Sequence, residues 1–231
     1  MPRYSPEGSL PCITIDCTIF GFDNFALKVL LVKRDIEPQK GMWALPGGWV
    51  GDREDLDDAA RRILEEATNL KDIYMDQVKT FGRVDRFPDN RILTVSYAAL
   101  INPLSHRLQQ GPEVSDVKWM DVKEVPPLTF DHGEILQASL NHLKQQVRME
   151  PISFELLPAK FTIPQILGLY ESILDTKLDR RNFRKKLLRM NILEKLEEKQ
   201  TGGAHRAADL YRFDRANYER LIEEEGFVYD F

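Results

Sequence analysis

The segment from Trp43 to Leu70 constrains the fold more than any other part of this 231-residue chain. Its sequence is WALPGGWVGDREDLDDAARRILEEATNL. Two adjacent glycines, Gly47 and Gly48, permit positive φ and a close approach of the backbone to a ligand. Apolar residues then recur at helical spacing, which predicts a helix that begins after Asp55, its N-cap, and buries one face.

The spacing of residues in this segment resembles the Nudix box, the motif of Nudix hydrolases. The matching positions are Gly48, Glu54, Arg62, Leu64, Glu66 and Leu70. The departures are Ile63 and Ala67, where the box has glutamates, and Asn69, where it has glycine. The alternative, an ordinary amphipathic helix after a glycine turn, leaves the number of matched positions unexplained.

The departures bear on catalysis, because the resemblance makes positions 63, 66 and 67 metal ligands. These positions share one helix face, which in Nudix hydrolases binds Mg²⁺ through carboxylates so that the metal activates water against a pyrophosphate. This chain keeps only Glu66 of the three, and Glu54 can add one oxygen. We therefore expect no metal site, no catalytic residue and at most weak hydrolysis. The alternative is a pyrophosphatase that hydrolyses ADP-ribose with Glu54, Glu66 and a further loop carboxylate.

Composition sets wider limits on the class of protein. A hydrophobic fraction of 42% and a charged fraction of 30% are typical of a globular chain with a core. The net charge of −5 gives no global sign of nucleic-acid binding, although an average can conceal a local basic surface. Cys12 and Cys17 are five apart in a predicted strand and point to opposite faces, which argues against a disulfide or a metal pair. No long apolar run is present, so we expect a cytoplasmic protein without a membrane partner.

Hydrophobic periodicity gives the order of elements in the first part of the chain. Strands are predicted at 12–20, 26–33, 92–101 and 117–122, with another beginning at Met75, and a helix at 131–147. Together with the helix of the box, this order is typical of a Nudix-type α/β/α sandwich. Two prolines follow in 149–158. We therefore predict an effector-binding domain over 1–150 and a second domain over 151–231.

The second domain has the element order of a winged helix. Thr162 and Asp179 are predicted to cap two successive helices, strands follow at 192–196 and 209–213, and Asp214 caps a last helix. In winged helices the second helix enters the major groove of DNA and the hairpin contacts phosphate. The sequence therefore predicts a small α+β DNA-binding domain.

The charge of the second helix supports DNA binding. Seven Lys or Arg residues lie between 177 and 189, against one acid. Residues suited to base edges are Arg181, Asn182 and Lys185. Residues suited to phosphate are Lys186, Arg189, Lys199 and Arg206, and Arg184 completes the predicted DNA-binding set. The alternatives are a solvated helix face and a module for dimerisation or other protein contacts.

A degenerate Nudix box joined to a winged helix resembles the Nudix-related transcriptional regulators of bacterial NAD metabolism, and the segment LDRRNFRKKLLRMNIL is especially similar to their second module. The resemblance implies a homodimeric repressor of NAD biosynthesis or salvage genes that binds a palindromic operator. It also implies ADP-ribose or a related nucleotide as effector, with no cofactor required. The sequence leaves open whether the effector releases or promotes DNA binding.

The resemblance places the effector over the box. Its pyrophosphate is expected near the backbone of Gly47 and Gly48. The other predicted effector-binding residues are Arg83, Arg86 and Arg91 for phosphate, Trp43 or Phe81 for adenine, and Glu66. The alternatives are a solvated arginine loop and two core aromatic residues. Asp131 and His132 are interpreted as helix-cap residues.

Overall fold

The computed structural model describes residues 12–69, 73–88, 90–103, 108, 113–200 and 208–231. The chain forms two compact units. The first contains the chain up to Gly21 and Lys28–His142; the second contains Phe22–Leu27 and Leu143–Phe231. The division at 142 lies inside a helix that continues to Met149. The predicted boundary, at 150, lies just after the end of that helix.

The first unit is built on a seven-stranded sheet. Its strands are β1 (Cys12–Asp23), β2 (Ala26–Arg34), β3 (Trp43–Ala44), β4 (Gly47–Trp49), β5 (Tyr74–Phe81), β6 (Ile92–Leu100) and β7 (Val114–Asp121). The order along the sheet is β3-β2-β1-β6-β5, with β4 paired to β1 and β7 paired to β2. All the strands predicted from the sequence are present, most of them longer by a few residues.

Strands β1 and β6 form the parallel centre of the sheet. Residues 15–22 of β1 are buried without alternation, since both faces of this part of the strand are covered. The core contains Ile15, Cys17 and Ile19 from β1, with Val95 and Tyr97 from β6. Because both faces of β1 are covered, successive residues of the strand are buried, rather than every second one.

Helix α1 (Leu56–Thr68) covers one face of the sheet. It buries Ile63 and Leu64 against β1 and β6. Asp55 occupies the N-cap position, but its carboxylate makes no cap hydrogen bond, so that part of the prediction is wrong. Asn69 ends the helix in the left-handed conformation with φ of 58°, a conformation that Asn tolerates better than most side chains do, which explains how it replaces the glycine of the box.

Helix α2 (His132–Met149) covers the other face. The Thr18 hydroxyl on β1 donates a hydrogen bond of 2.9 Å to the Ser139 hydroxyl on α2, and both groups are buried. Helices on both faces of a mixed sheet make the α/β/α sandwich that the sequence predicts. No helix in the described ranges has the length and apolar character to span a membrane.

The second unit has the predicted winged-helix order. A 3-10 helix (Pro151–Leu156) leads into α3 (Ile163–Leu174), α4 (Arg180–Arg189), β8 (Leu193–Lys199), β9 (Asp209–Phe213) and α5 (Arg215–Glu225). Three predicted caps are confirmed. Thr162 and Gln165 form a reciprocal capping box, and the Asp179 and Asp214 carboxylates each accept a backbone N–H in the first turn of their helix.

Strands β8 and β9 form an antiparallel hairpin. A β-bridge from Phe161, just before α3, pairs with Tyr211 and ties the hairpin to the helices. The apolar interior contains Phe161, Tyr170, Leu187 and Tyr211, all at most 3% exposed. Residues 201–207 lie outside the described part of the chain, and with them the predicted phosphate contact Arg206.

Candidate functional sites

A cavity of about 270 Å³ opens in the first unit beside β4. Its wall combines the two glycines of the box, in β4, with charged and aromatic side chains from β1, β2 and the segments before β6 and at the start of α2. Its lining includes Asp16, Arg34, Gly47, Gly48, Trp49, Arg86, Phe87, Phe130 and His132. An opening with polar groups among aromatic rings suits a nucleotide-sized ligand.

A buried ionic cluster forms part of this wall. Arg86 donates from Nε to Asp131 Oδ2 at 2.9 Å and from Nη2 to Asp131 Oδ1 at 2.8 Å, a bidentate pair. The same Nη2 lies 3.4 Å from Asp16 Oδ2. All three side chains are less than one tenth exposed. The guanidinium is therefore held by two carboxylates with fixed geometry.

His132 completes the cluster on the first residue of α2. Its Nδ1 accepts the Leu45 backbone N–H at 3.0 Å, so the ring proton lies on Nε2, 3.6 Å from Asp16 Oδ1. Burial lowers the pKa of His132, against the opposing effects of Asp16 and Asp131. His132 is thus a neutral donor inside the cavity wall, and Asp131 is a partner of Arg86 as well as a residue at the helix start.

The two glycines of the box make room for this arrangement. A Cβ atom at Gly47 would lie 2.4 Å from Asp16 Oδ1 and 2.8 Å from the Ile15 carbonyl oxygen, which are impossible distances. A Cβ at Gly48 would lie 3.3 Å from the Ile63 side chain. Gly47 is therefore required by its neighbours, and Gly48 lies over the residue that replaces the first helical glutamate.

Glu54 and Glu66 of the box are both bound to Arg62. Arg62 donates to Glu54 through Nε at 2.8 Å and Nη2 at 2.9 Å, and through Nη1 to Glu66 at 3.3 Å. The Gly51 N–H donates to Glu54 as well. The Arg62 hydrogen bonds, followed by that from Gly51, lower the pKa of Glu54 to about 2. Glu54 therefore ties the loop before α1 to Arg62, whereas the pair of Arg62 with Glu66 lies within α1.

Of the eight residues predicted to bind the effector, Gly47, Gly48 and Arg86 line the cavity. Within the described part of the chain, the other five are not among its lining residues. The Trp43 ring lies under the Lys118 ammonium, 4.7 Å from its centroid, and the Phe81 ring lies under Lys79.

The two remaining predicted arginines form a surface pair. Arg91 donates to the Arg83 carbonyl at 2.9 Å, while Arg83 reaches Glu134 on α2 at 3.1 Å. The first contact is an exposed hydrogen bond and the second is an ion pair between half-exposed side chains, so these arginines are less constrained than Arg86.

The sequence does not predict several of the cavity residues. Phe87 and Phe130 lie in separate loops, yet their ring centroids are 4.9 Å apart, and the Arg34 guanidinium lies 5.2 Å from the centroid of Phe130. Trp49, 56% exposed, is the last residue of β4, next to Gly48. A signal for Trp49 existed in the GGWVG sequence, whereas the pairing of Phe87 with Phe130 depends on contacts between distant segments.

The second unit presents a basic surface on α4. Six of its ten residues are Lys or Arg, and only Phe183 and Leu187 are buried. The predicted base-edge residues Arg181, Asn182 and Lys185 are exposed, as are Arg184, Lys186 and Arg189. On the hairpin, Lys199 is exposed at the end of β8. The predicted DNA-facing side chains in the described ranges thus share one helix and its neighbouring hairpin.

Comparisons with known proteins match this architecture in two parts. The NUDIX domain family matches residues 12–138, and the NrtR DNA-binding winged helix domain matches residues 153–213. Together the matches define a class of protein in which a Nudix domain precedes a DNA-binding winged helix.

Whole-chain similarity identifies the family. The ADPR responsive transcriptional repressor NtrR of Acinetobacter baylyi is 33% identical over 221 residues, which cover 92% of this chain and 88% of that protein. The chain belongs to the NrtR family of Nudix-related transcriptional regulators.

The solved structures similar to this chain include two NrtR complexes. The crystal structure of Shewanella oneidensis NrtR complexed with a 27mer DNA has 30% identity and a TM-score of 0.77, covering 87% of this chain and 93% of that one. The NUDIX domain of the same protein complexed with ADP ribose has 34% identity and a TM-score of 0.54, covering 61% of this chain and 94% of that one.

Proposed function

We infer that this protein is an ADP-ribose-responsive transcriptional repressor of genes for NAD biosynthesis or salvage. The observation that carries the inference is α4, a capped helix with two buried apolar residues and six cationic ones beside a hairpin. A helix with this distribution of charge fits the major groove of DNA. The similarity to a repressor over nearly the whole chain supports the same function.

We propose individual roles for residues of α4 and of the segment that contains the hairpin. Arg181 and Lys185 lie one turn apart on the side opposite Phe183 and Leu187, and with Asn182 they are proposed to contact base edges. Lys186, Arg189, Lys199 and Arg206 are proposed to contact phosphate, and Arg184 adds charge to the same surface. A homodimer would place two copies of α4 on a palindromic operator in the bacterial cytoplasm.

The cavity of the first unit is the proposed effector site, within a domain of residues 1–150. The β4 backbone at Gly47 and Gly48 is proposed to offer donors to a diphosphate, and Arg34 is proposed to offer positive charge. Arg86, whose charge is balanced by Asp131 and Asp16, is proposed to add a hydrogen-bond donor in the cavity wall. Trp49 and the Phe87–Phe130 pair are better placed than Trp43 or Phe81 to stack on adenine. Arg83, Arg91 and Glu66 are proposed to act at the rim of the site.

We further propose that the Nudix domain senses rather than hydrolyses its ligand. Ile63 is buried in the core, and Glu54 and Glu66 are paired with Arg62, so the helix face of the box lacks a set of free carboxylates for Mg²⁺. Pyrophosphatase activity is tested with Ile63→Glu combined with Ala67→Glu. Turnover by the wild type at ordinary enzymatic rates, unchanged by the substitutions, would refute the argument.

The function is tested by fluorescence anisotropy with labelled DNA from upstream of an NAD-biosynthesis operon, with and without ADP-ribose. We expect selective binding that weakens with salt and changes when ADP-ribose is added, because a ligand shifts an equilibrium only if its affinities for the two states differ. The direction of the change gives the sign of the switch. Binding no tighter than to random DNA would overturn the assignment.

The role of α4 is tested with Arg181→Ala. We expect a loss of about 1–3 kcal/mol in operator binding and relaxed sequence preference at one position. Arg215→Ala is the matched control, because Arg215 lies in the same unit on α5 and pairs with Glu155. Equal effects of the two substitutions would show that α4 does not read the operator.

A further inference from the structure

The segment 226–231, which follows α5, lies outside both family matches, 12–138 and 153–213. It nevertheless supplies part of the interior of the second unit, since Tyr229 is only 4% exposed. The segment begins at Gly226, whose N–H donates to the Leu221 carbonyl and whose φ of 60° turns the chain away from α5. We call residues 226–231 the brace segment.

Hydrogen bonds fix the brace segment to α3 and to the last turn of α2. The Tyr170 hydroxyl on α3 donates to the Val147 carbonyl at 3.2 Å and accepts from the Ser153 hydroxyl at 3.3 Å. Since Tyr170 has one proton, the Tyr229 hydroxyl is the donor in the short bond between the two tyrosines. The Phe231 N–H donates to the Arg148 carbonyl at 2.9 Å.

The ring of Phe231 reaches α4. Its centroid lies 4.4 Å from that of Tyr170 and 4.8 Å from that of Phe183. The Lys186 ammonium lies 5.4 Å from the Phe231 ring centroid, within the range of a cation–π contact. Phe231 therefore contacts both a buried residue of α4 and one of its exposed cations.

Lys186 differs in this respect from the cations that face away from the unit. At 100° per residue it lies about 60° from Phe183, so its long side chain runs along the edge of the buried face, where the Phe231 ring restricts it. A flexible lysine loses rotamer freedom when it binds a phosphate, and a lysine already held by a ring loses less.

We propose that the brace segment positions α4 for DNA, with the Phe231 ring holding the Lys186 ammonium in place for a phosphate of the operator. The proposal rests on the proposed function of α4. It assigns a positioning role to a part of the chain that the winged-helix match does not include.

The contact itself is tested without DNA in the full-length protein. An aromatic ring shifts the resonances of protons that lie over it, so the Lys186 side-chain protons should be displaced upfield in the wild type. Phe231→Leu keeps an apolar side chain but removes the ring, and should abolish the displacement. Phe231→Tyr should retain it. Lys186 resonances that are the same in wild type and Phe231→Leu would overturn the proposal.

The positioning role is tested by the salt dependence of operator binding. We expect Phe231→Leu to weaken binding by about two- to fivefold and to reduce the slope of log K against log salt by about 0.9, the value for one phosphate contact. Lys186→Ala should reduce the slope equally, and the double variant should reduce it no further. Phe231→Tyr should restore the wild-type slope.

The control is Phe227→Leu, because Phe227 belongs to the same segment but packs against Tyr218 of α5. It should leave the slope unchanged even if the unit becomes less stable. The positioning role would be refuted if Phe231→Leu kept the wild-type salt slope of operator binding, or if Phe227→Leu lost as much of that slope. In either case, selective operator binding by the wild type would still uphold the proposed function. A wild type without selective binding would overturn both proposals.

Discussion

The buried pair of Arg86 and Asp131 gives the sharpest test of the cavity wall. In Asp131→Asn the guanidinium keeps one amide oxygen and the more distant Asp16 carboxylate but loses the charge that neutralises it in a bidentate pair. Removing one partner of a buried ion pair costs about 3–5 kcal/mol. The side chain of Arg86 is only 4% exposed, but the Asp16 carboxylate remains 3.4 Å away. We therefore expect a loss of stability at the lower end of this range, about 3 kcal/mol.

The assay is urea unfolding followed by tryptophan fluorescence. Trp43, Trp49 and Trp119 are the three tryptophans of the chain, and all belong to the first unit, so the signal reports that unit. If the free energy of unfolding falls by about 2 kcal/mol per molar urea, the midpoint of unfolding should fall by about 1.5 M.

The matched control for this experiment is Glu134→Gln. It removes the exposed pair with Arg83, whose side chains are 58% and 56% exposed, and should cost less than about 1 kcal/mol. A midpoint shift in Asp131→Asn no larger than that of the control would show that the buried pair does not hold the cavity wall together.

Three further predictions concern the same unit. Burial lowers the pKa of His132 below 6.5, so below that pH the unfolded chain takes up a proton that the native state does not. The contribution of His132 to stability should therefore be complete above pH 6.5 and decline below it. The urea midpoint of His132→Gln should decline less than that of the wild type over the same pH range. The carboxyl group of Glu54 should titrate by NMR at about pH 2, and Arg62→Leu should raise this midpoint toward 4.5, whereas no change would exclude the arginine as the cause. Gly47→Ala should weaken ADP-ribose binding in calorimetry by about tenfold, while Gly133→Ala, with nothing within 4 Å of the added Cβ, should bind normally.

Elements with strong local signals could be predicted from the sequence. Helix α4 shows why: Asp179 caps it, Phe183 and Leu187 recur at helical spacing, and the charges fill the rest of its circumference. The position of Asn69 at the end of α1 also follows from local chemistry, since few residues other than glycine adopt the left-handed conformation readily.

Contacts between distant segments could not be predicted in the same way. The arginine-rich loop predicts a phosphate contact for Arg86, but its partner Asp131 is 45 positions away and Asp16 is 70 positions away. Nothing in the periodicity of either segment indicates that they meet. The pairing of Phe87 with Phe130 has the same origin, because loop residues carry no pattern that reveals their tertiary neighbours.

The hydrogen bonds at the end of α2 have a consequence for dissecting the protein into fragments. A fragment that stops at residue 150 would contain every residue of the helix but would leave the Val147 and Arg148 carbonyls without Tyr170 and Phe231. It would also expose the Val147 side chain, which is fully buried in the whole chain. We expect the last turn of such a fragment to fray and to exchange its amide protons rapidly, so loss of a property in the fragment does not by itself assign that property to the missing half.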